Sequence, residues 1–339
     1  MKPSRNRKPF YFVVFGLMTL ILLIPSFLVL PFNGKSDSTT VPAVKKTTDN
    51  QPIVFQSSVD VSVYKTAANQ VKSVPLEQYV KGVVAAEMPA DFKMEALKAQ
   101  ALTARTYIIK MLLNETDLNL PEGADITDSK MHQVYRSDDE LKRDWGKDYD
   151  WKMKKIKKAV KETEGQIITY DNKPIDALFF STSNGHTQNS EDYWPSAFPY
   201  LKSVESPWDK QSPKFTYKQA LPVSFVEKKL GVELKEDGEV GKVLSRTSGN
   251  YVDTIQINGK KLNGKDVRDS LDLRSSDFTM VKQDDKVIVQ TQGFGHGVGM
   301  SQYGANGMAK EGKSYKDILK HYYNGITITN NKAYTAKLK

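Results

Sequence analysis

The sequence predicts an α+β fold: a single N-terminal transmembrane helix followed by one extracytoplasmic α+β domain, with a candidate second lobe. Three observations predict this class. Residues 10–32 carry no charge, and residues 33–52 are polar without periodic apolar positions. The strand-like and helix-like segments that follow do not alternate regularly, as they would in a doubly wound sheet. With 339 residues, the chain can also bury a substantial core.

The uncharged segment at residues 10–32 is predicted to be a membrane anchor, because 23 apolar residues suffice to cross a bilayer as a helix. Four basic residues precede it: Lys2, Arg5, Arg7 and Lys8. The positive-inside tendency therefore places residues 1–9 in the cytoplasm and the rest of the chain outside. A cleaved signal peptide is the alternative, but the segment is longer than a usual signal core and no small-residue cleavage site follows it.

After a flexible tether at residues 33–52, the folded domain is expected at residues 53–332, with a short tail at 333–339. The alternating segments PIVFQSS and VDVSVYKT predict strands. Pro75 then opens a helix, since proline is favoured in a first turn. A run of strong helix formers predicts a second helix at residues 94–113, before a long polar loop.

The second half of the domain mixes both kinds of element. A lysine-rich helix, KMKKIKKAVKETE, precedes the strands GQIITY and IDALFFST. The candidate second lobe at residues 208–250 contains the helix VSFVEKKLG, which Gly231 ends as a C-cap. Asn258-Gly259 predicts a hairpin. The Gly-rich loop GFGHGVGMSQYGA leads into a helix, and Gly325 is expected to cap the last helix.

Composition excludes some classes of site and favours some partners. The chain has no cysteine, so it has neither a disulfide framework nor a cysteine-based zinc site. The formal net charge is +9, of which four positive charges lie in residues 1–9, so the exported part carries about +5. A mildly basic exported domain suits an acidic extracellular polymer or an anionic membrane surface, and nucleic acid is the less favoured partner.

Glu87 is the candidate catalytic acid. It shares one helical stripe with four apolar residues: Leu76, Val80, Val83 and Val84. A partly desolvated carboxyl has a raised pKa, as a general acid requires near neutral pH, and activity should then fall as pH rises past that pKa. The alternative is a glutamate at a fraying helix end that points to solvent.

Other polar residues are weaker candidates. Arg105 lies in an apolar helix and either faces a cleft or packs its stem in the core with its head in water. The loop STSNGHTQNSEDYW gathers hydroxyls and amides at a strand end, where binding groups are common. Four alternating glycines in GFGHGVGMSQYGA fit neither nucleotide-binding template and indicate instead a close backbone approach.

The sequence argues against several kinds of catalytic site. The four histidines have no local metal-binding spacing, so no metal and no cofactor are expected, although a zinc site assembled in space remains the alternative. The sequence contains no serine nucleophile elbow and no cysteine. Two interpretations of the domain's function remain: acid/base catalysis by Glu87, or a purely binding role.

Four segments together resemble the SpoIID family of sporulation and amidase-enhancer proteins. They are VPLEQYVKGVVAAEMPADFKMEALKAQALTARTY, STSNGHTQNSEDYW, INGKKLNGKDVRDSLDLRSSDF and GFGHGVGMSQYGANGMAKEGKSYKDILKHYYNG. The resemblance implies a lytic transglycosylase that cleaves peptidoglycan glycan strands during forespore engulfment, in the mother-cell engulfing membrane. A non-catalytic glycan-binding activator of a partner amidase is the alternative.

The resemblance also implies roles for particular residues. Glu87 matches the family's catalytic acid. The sugar-binding positions match Arg105, Ser183, Thr187, Tyr200 and Tyr323, with His296 and Gln302 as additions from the Gly-rich loop. A cysteine-containing zinc site of some clostridial members has no counterpart here. The implied partners are the amidase stage II sporulation protein P and the membrane protein stage II sporulation protein M.

Overall fold

The computed structural model describes residues 55, 57, 59–114, 120–129 and 132–338, and these residues form both α-helices and β-strands. The predicted cytoplasmic tail, anchor and tether lie outside the described residues. No helix in the described part of the chain is long and apolar enough to cross a membrane.

The described α-helices are α1 Leu76–Glu87, α2 Met94–Leu113, α3 Asp138–Trp145, α4 Tyr149–Lys161, α5 Val223–Leu230, α6 Gly264–Ser270, α7 Gln302–Lys310, α8 Tyr315–Tyr322 and α9 Lys332–Thr335. Short 3₁₀ helices lie at Thr66–Ala68, Gly146–Asp148, Ser190–Asp192, Pro207–Gln211 and Ala336–Leu338.

The described strands are β1 Asp60–Lys65, β2 Gln70–Pro75, β3 Ile126–Thr127, β4 Gln166–Tyr170, β5 Lys173–Pro174, β6 Phe179–Phe180, β7 Thr216–Pro222, β8 Gly238–Glu239, β9 Lys242–Arg246, β10 Val252–Ile257, β11 Lys260–Asn263, β12 Phe278–Gln283, β13 Lys286–Gln292, β14 Met300–Ser301 and β15 Thr327–Asn330. They form small sheets in the orders β2-β1-β3, β11-β10-β9, β7-β13-β12-β8, β14-β6 and β15-β4-β5. Pairing is antiparallel except for β1 with β3 and β14 with β6. The mixture of helices and small sheets confirms the predicted α+β class.

Local signals account for several element ends. Helix α2 spans the predicted residues 94–113. Gly231 ends α5 in the left-handed conformation, with φ 62°, as a C-cap glycine should. Asn258 and Gly259 both have positive φ at the turn between β10 and β11. The predicted cap at Gly325 is wrong, because α8 already ends at Tyr322.

Two clusters of buried apolar side chains hold these elements. The larger one joins α1, α2 and α4 to residues near the C-terminus, including Ile318 and Tyr323. The second contains residues from Val226 to Val289 and packs between β10, β12, β13 and the helices α5 and α6. This second cluster therefore draws on chain well beyond the candidate lobe at residues 208–250.

Candidate active site

Glu87 is the last residue of α1 and is half-buried at the wall of a cleft of about 320 Å³. The four apolar residues on its stripe are at most 2% exposed. The carboxyl oxygen Oε1 accepts a hydrogen bond from the backbone N–H of Val134 at 2.8 Å. Glu87 therefore continues the buried stripe of α1, and the helix end that carries it lines a cleft.

The end of α1 places Glu87 there for a local reason. Met88 adopts an extended conformation, with φ −122° and ψ 134°, and Pro89 follows. Because proline has no N–H and disfavours a helical conformation in the residue before it, the helix cannot continue. The chain then runs along the cleft, which is lined by Ala85, Ala86, Glu87, Met88, Pro89, Ala90, Asp91, Trp145, Lys152 and Lys214.

The cleft contains groups of both charges. Asp91 provides a second carboxylate, and Lys152 and Lys214 provide two ammonium groups. Lys152 Nζ lies 5.6 Å from the ring centroid of Trp145. Such a mixture of charge and aromatic surface is well suited to a polar ligand with apolar faces, as a sugar is.

Gln302, one of the predicted binding residues, contacts Glu87 directly. Its Nε2 donates to the backbone carbonyl oxygen of Glu87 at 3.1 Å and lies 3.4 Å from Gln100 Oε1. Ser301 caps α7 by accepting the N–H of Gly304, which fixes the start of the helix that carries Gln302. This contact joins the end of α1 to the Gly-rich loop, 215 residues away in sequence.

Arg105 lies in the core and has no exposed surface. Its Nε donates to Glu77 Oε1 at 2.8 Å and its Nη2 to Glu77 Oε2 at 2.7 Å, while Nη1 donates to the carbonyl of Gln166. The expectation of a sugar-binding Arg105 does not match this geometry, since its donors serve internal acceptors. The alternative of a buried stem with its head in water is also wrong.

Ser183 and Thr187 are buried within their loop. Ser183 Oγ donates to Asp209 at 2.7 Å, and Thr187 Oγ1 accepts the N–H of Val204 at 2.9 Å. These hydroxyls therefore fix the loop's conformation and do not present themselves to a ligand in this structure.

Tyr200 and Tyr323 are 6% and 0% exposed, so neither offers a ring face for stacking on a sugar. The Tyr200 hydroxyl donates to Asp176 Oδ2 at 3.0 Å, and the Tyr323 hydroxyl donates to the carbonyl of Leu178 at 2.6 Å. Burial raises the pKa of both phenols, which stay neutral near pH 7.

His296 is half-buried among the rings of Phe180, Tyr193 and Trp194, with ring centroids 5.3–5.9 Å away. Its Nδ1 accepts the N–H of Val298 at 3.1 Å. Burial, followed by the charge of Arg268, lowers the pKa of His296 to about 4, so the ring is neutral at pH 7. Among the described residues, no group of three or more His, Asp or Glu side chains could hold a metal ion.

Sequence reasoning missed three residues that line the cleft, Trp145, Lys152 and Lys214, and also the backbone N–H of Val134 that donates to Glu87. All four lie far from Glu87 in sequence, and a backbone N–H has no residue-type signal. The capping box at Ser137 and Glu140 is readable in the sequence as S-x-x-E, but it marks only the start of α3 and not the position of Trp145 in the cleft.

A family model and several curated proteins are similar to this chain, and most of them are stage II sporulation proteins. A family model described as SpoIID, stage II sporulation protein, matches residues 64–170. The chain is 48% identical over 338 residues to stage II sporulation protein D of Bacillus amyloliquefaciens, and 49% identical over 337 residues to that of Bacillus subtilis (strain 168). Each alignment covers 97% of this chain and 98% of the relative. The amidase enhancer of Bacillus subtilis is 28% identical over 306 residues, covering 74% of this chain and 40% of that protein.

Proposed function

The chain belongs to the stage II sporulation protein D family, and we propose that it is a membrane-anchored lytic transglycosylase of peptidoglycan. It would cleave glycan strands between N-acetylmuramic acid and N-acetylglucosamine and leave 1,6-anhydro-muramic ends during forespore engulfment. The observation that carries this proposal is Glu87 itself. It is a half-buried acid at a cleft wall, held by contacts from two distant segments.

The proposed reaction needs only one acid. The Glu87 carboxyl donates its proton to the glycosidic oxygen as the bond from that oxygen to C1 of N-acetylmuramic acid breaks. The resulting Glu87 carboxylate then takes the proton from the C6 hydroxyl of the same sugar while O6 bonds to C1. The acid is regenerated and no water is consumed. Because the nucleophile is intramolecular, its effective concentration replaces that of a positioned water.

The contacts around Glu87 fit this role. A carboxyl that first gives and then takes a proton on one face of a sugar must keep its orientation between the two steps. The N–H of Val134 restrains one carboxyl oxygen, and Gln302 restrains the backbone of the helix end that carries the side chain.

Two other activities compete. Asp91 lines the same cleft, and a pair of carboxylates would permit hydrolysis, with one group as acid and the other as base or nucleophile. The relative named amidase enhancer favours a second alternative, a glycan-binding activator of a partner amidase that cleaves nothing itself.

One experiment separates the three. The protein is incubated with glycan strands that lack stem peptides, and the fragments are identified by mass spectrometry. Anhydro ends that vanish in Glu87→Gln and persist in Asp91→Asn support the transglycosylase. Reducing ends that carry an added water and vanish in Asp91→Asn indicate a hydrolase. Intact strands with retained binding indicate the activator and would refute the proposal that this protein is an enzyme.

The location and partners are also proposals. The uncharged residues 10–32 and the basic residues before them support a single-pass anchor with a cytoplasmic N-terminus and an extracytoplasmic domain. The family membership supports a place in the mother-cell engulfing membrane, together with the amidase stage II sporulation protein P and the membrane protein stage II sporulation protein M.

A further inference from the structure

A groove of about 500 Å³ lies along strand β15 and helix α8. It is lined by Gln166, Lys316, Lys320 and the five successive residues 326–330. Because alternate residues of a strand point to opposite faces, a groove lined by five residues in succession runs along the edge of β15 and not over one face. The groove shares no lining residue with the cleft of Glu87.

Strand β15 is a free edge of its sheet, because it pairs with β4 alone. Ile328 lies opposite Ile168. The N–H of Ile168 donates to Thr106 Oγ1 at 2.9 Å and its carbonyl accepts the N–H of Ile175 at 3.2 Å, so both groups point away from β15. Directly opposed residues of an antiparallel pair either exchange both bonds or both point outward, so the N–H and carbonyl of Ile328 point away from β4. Neither group has a partner in the part of the chain that the structure describes, and such an open edge is a template for a further strand.

Two lysines line this edge. Lys316 and Lys320 are exposed and lie one turn apart on the same face of α8. Within the described ranges, neither ammonium group is within ion-pair distance of a carboxylate. Asp317, between them in sequence, instead accepts hydrogen bonds from the N–H and the hydroxyl of Ser314 at 3.0 and 2.6 Å. Like charges one turn apart repel each other, and an anionic ligand that pairs with both lysines would offset that repulsion.

The spacing of the two lysines suits an extended peptide. Residues four apart in a helix are separated by about 6 Å along its axis, and alternate residues of a strand by about 6.5 Å. Acidic side chains at alternate positions of a peptide strand therefore match Lys316 and Lys320. A second copy of this chain fits less well, because it would bring its own two lysines to the same edge.

We propose that β15 binds an extended acidic segment of a partner protein by strand addition. The backbone of that segment bonds to Ile328, and the carboxylates of two alternate residues pair with Lys316 and Lys320. Main-chain bonds give the complex its geometry, and the two lysines select an acidic sequence. The residues of this groove take no part in the proposed reaction, so the inference stands apart from the proposed function.

The test uses a synthetic peptide of six residues in which glutamate alternates with valine, blocked at both ends. It is titrated into the full-length chain, solubilised in a mild detergent, and binding is followed by calorimetry. A block peptide of the same composition, with three glutamates followed by three valines, should bind about tenfold more weakly, because its acids lie on both faces of the strand. Methylating the backbone nitrogens of either the glutamates or the valines gives two further peptides. Only one of these should keep its affinity, because alternate N–H groups of a strand face one neighbour.

Substitution of the two lysines tests the charge pairing. Lys316→Gln with Lys320→Gln should weaken binding of the alternating peptide about tenfold, as expected for the loss of two exposed ion pairs. The matched control is Lys310→Gln with Lys313→Gln, since both residues are exposed and neither lines the groove. It removes the same charge and should bind as the parent does. Lys316→Glu with Lys320→Glu should instead prefer a peptide in which lysine replaces glutamate.

Several results would overturn the inference. Equal binding of the alternating and block peptides, or equal loss with both methylated forms, excludes strand addition. Equal weakening by the two pairs of lysine substitutions excludes this groove. Lysine-dependent binding of short-chain phosphatidylglycerol without peptide binding would assign the lysines to a membrane surface, and a chain that sediments as a dimer and binds no peptide would assign the edge to a second copy. Glu87→Gln should bind the peptide as the parent does, so failure of the proposed function leaves these outcomes unchanged.

Discussion

Replacing Arg105 should lower the free energy of unfolding, and it should not weaken glycan binding directly. The guanidinium makes two hydrogen bonds of 2.7 and 2.8 Å to the carboxylate of Glu77, and the two side chains are 0% and 4% exposed. Arg105→Met leaves the Glu77 carboxylate buried without its cation. Breaking a buried pair from one side typically costs about 3–5 kcal/mol, a large share of the roughly 5–15 kcal/mol by which a protein is stable.

The double replacement Glu77→Leu with Arg105→Met removes both charges together. Because a buried ion pair often gains little over apolar residues of similar volume, its free energy of unfolding should return to within about 2 kcal/mol of the original. Urea unfolding of residues 52–339, which form one compact unit, followed by tryptophan fluorescence, measures both variants. Lys158→Met is the control, because Lys158 is 61% exposed and its contact with Glu162 is long, at 3.7 Å.

The reasoning fails if Arg105→Met unfolds at the same urea concentration as the parent but binds glycan strands much more weakly. That outcome would return Arg105 to the sugar-binding role that the family resemblance implied. Strong destabilisation that the double replacement does not relieve would also contradict it, since the unpaired Glu77 would then not be the cause.

Three further changes have definite expected results. Burial alone would raise the pKa of Glu140, but hydrogen bonds from a backbone N–H and from Lys65 lower it to about 2 from the usual 4.5. Its carboxylate therefore stabilises the fold above pH 4.5 and loses this effect as pH falls towards 2. Glu140→Gln should lower the free energy of unfolding by about 1–2 kcal/mol at pH 7. The urea concentration at the unfolding midpoint should then depend less on pH between 4.5 and 2 than it does in the parent protein. Gly299→Ala should lower the free energy of unfolding by more than about 1 kcal/mol in urea, because φ is +81° and a Cβ would lie 2.2 Å from the carbonyl oxygen of Leu178. Gln302→Ala should lower kcat about tenfold with little change in KM, as measured by anhydro-product formation, since it loosens the helix end that carries the acid.

The elements that the sequence predicted well depend on short-range signals. Helix α2 was recognisable because helix formers fill residues 94–113 without a break. The hairpin at Asn258-Gly259 was recognisable because both residues tolerate positive φ. Glu87 was locatable at a helix end because Pro89 follows it closely. In each case the decisive interactions lie within a few residues of one another.

Partners distant in sequence were not predictable from one sequence. Nothing near Arg105 shows that Glu77, 28 residues earlier, will satisfy its guanidinium. Tyr200 and Tyr323 look equally suited to a core or to a binding surface, because an aromatic ring with a hydroxyl fits either once the hydroxyl finds an acceptor. Lys214 is one lysine among many, and only the fold places it in the cleft.

A buried serine of the hydroxyl-rich loop STSNGHTQNSEDYW can support the candidate site without contacting a ligand. The carboxylate of Asp209 accepts hydrogen bonds of 2.7 Å from Ser183, Ser206 and Ser301, and is itself fully buried. Burial raises the pKa of Asp209, so the three hydroxyl donors offset part of the cost of a buried charge. Ser301 also caps the helix whose first residue, Gln302, holds the end of α1. Ser183 of the hydroxyl-rich loop thus shares the buried Asp209 carboxylate with Ser301, the residue that caps the helix carrying Gln302, and this hydroxyl supports the candidate site without contacting a ligand.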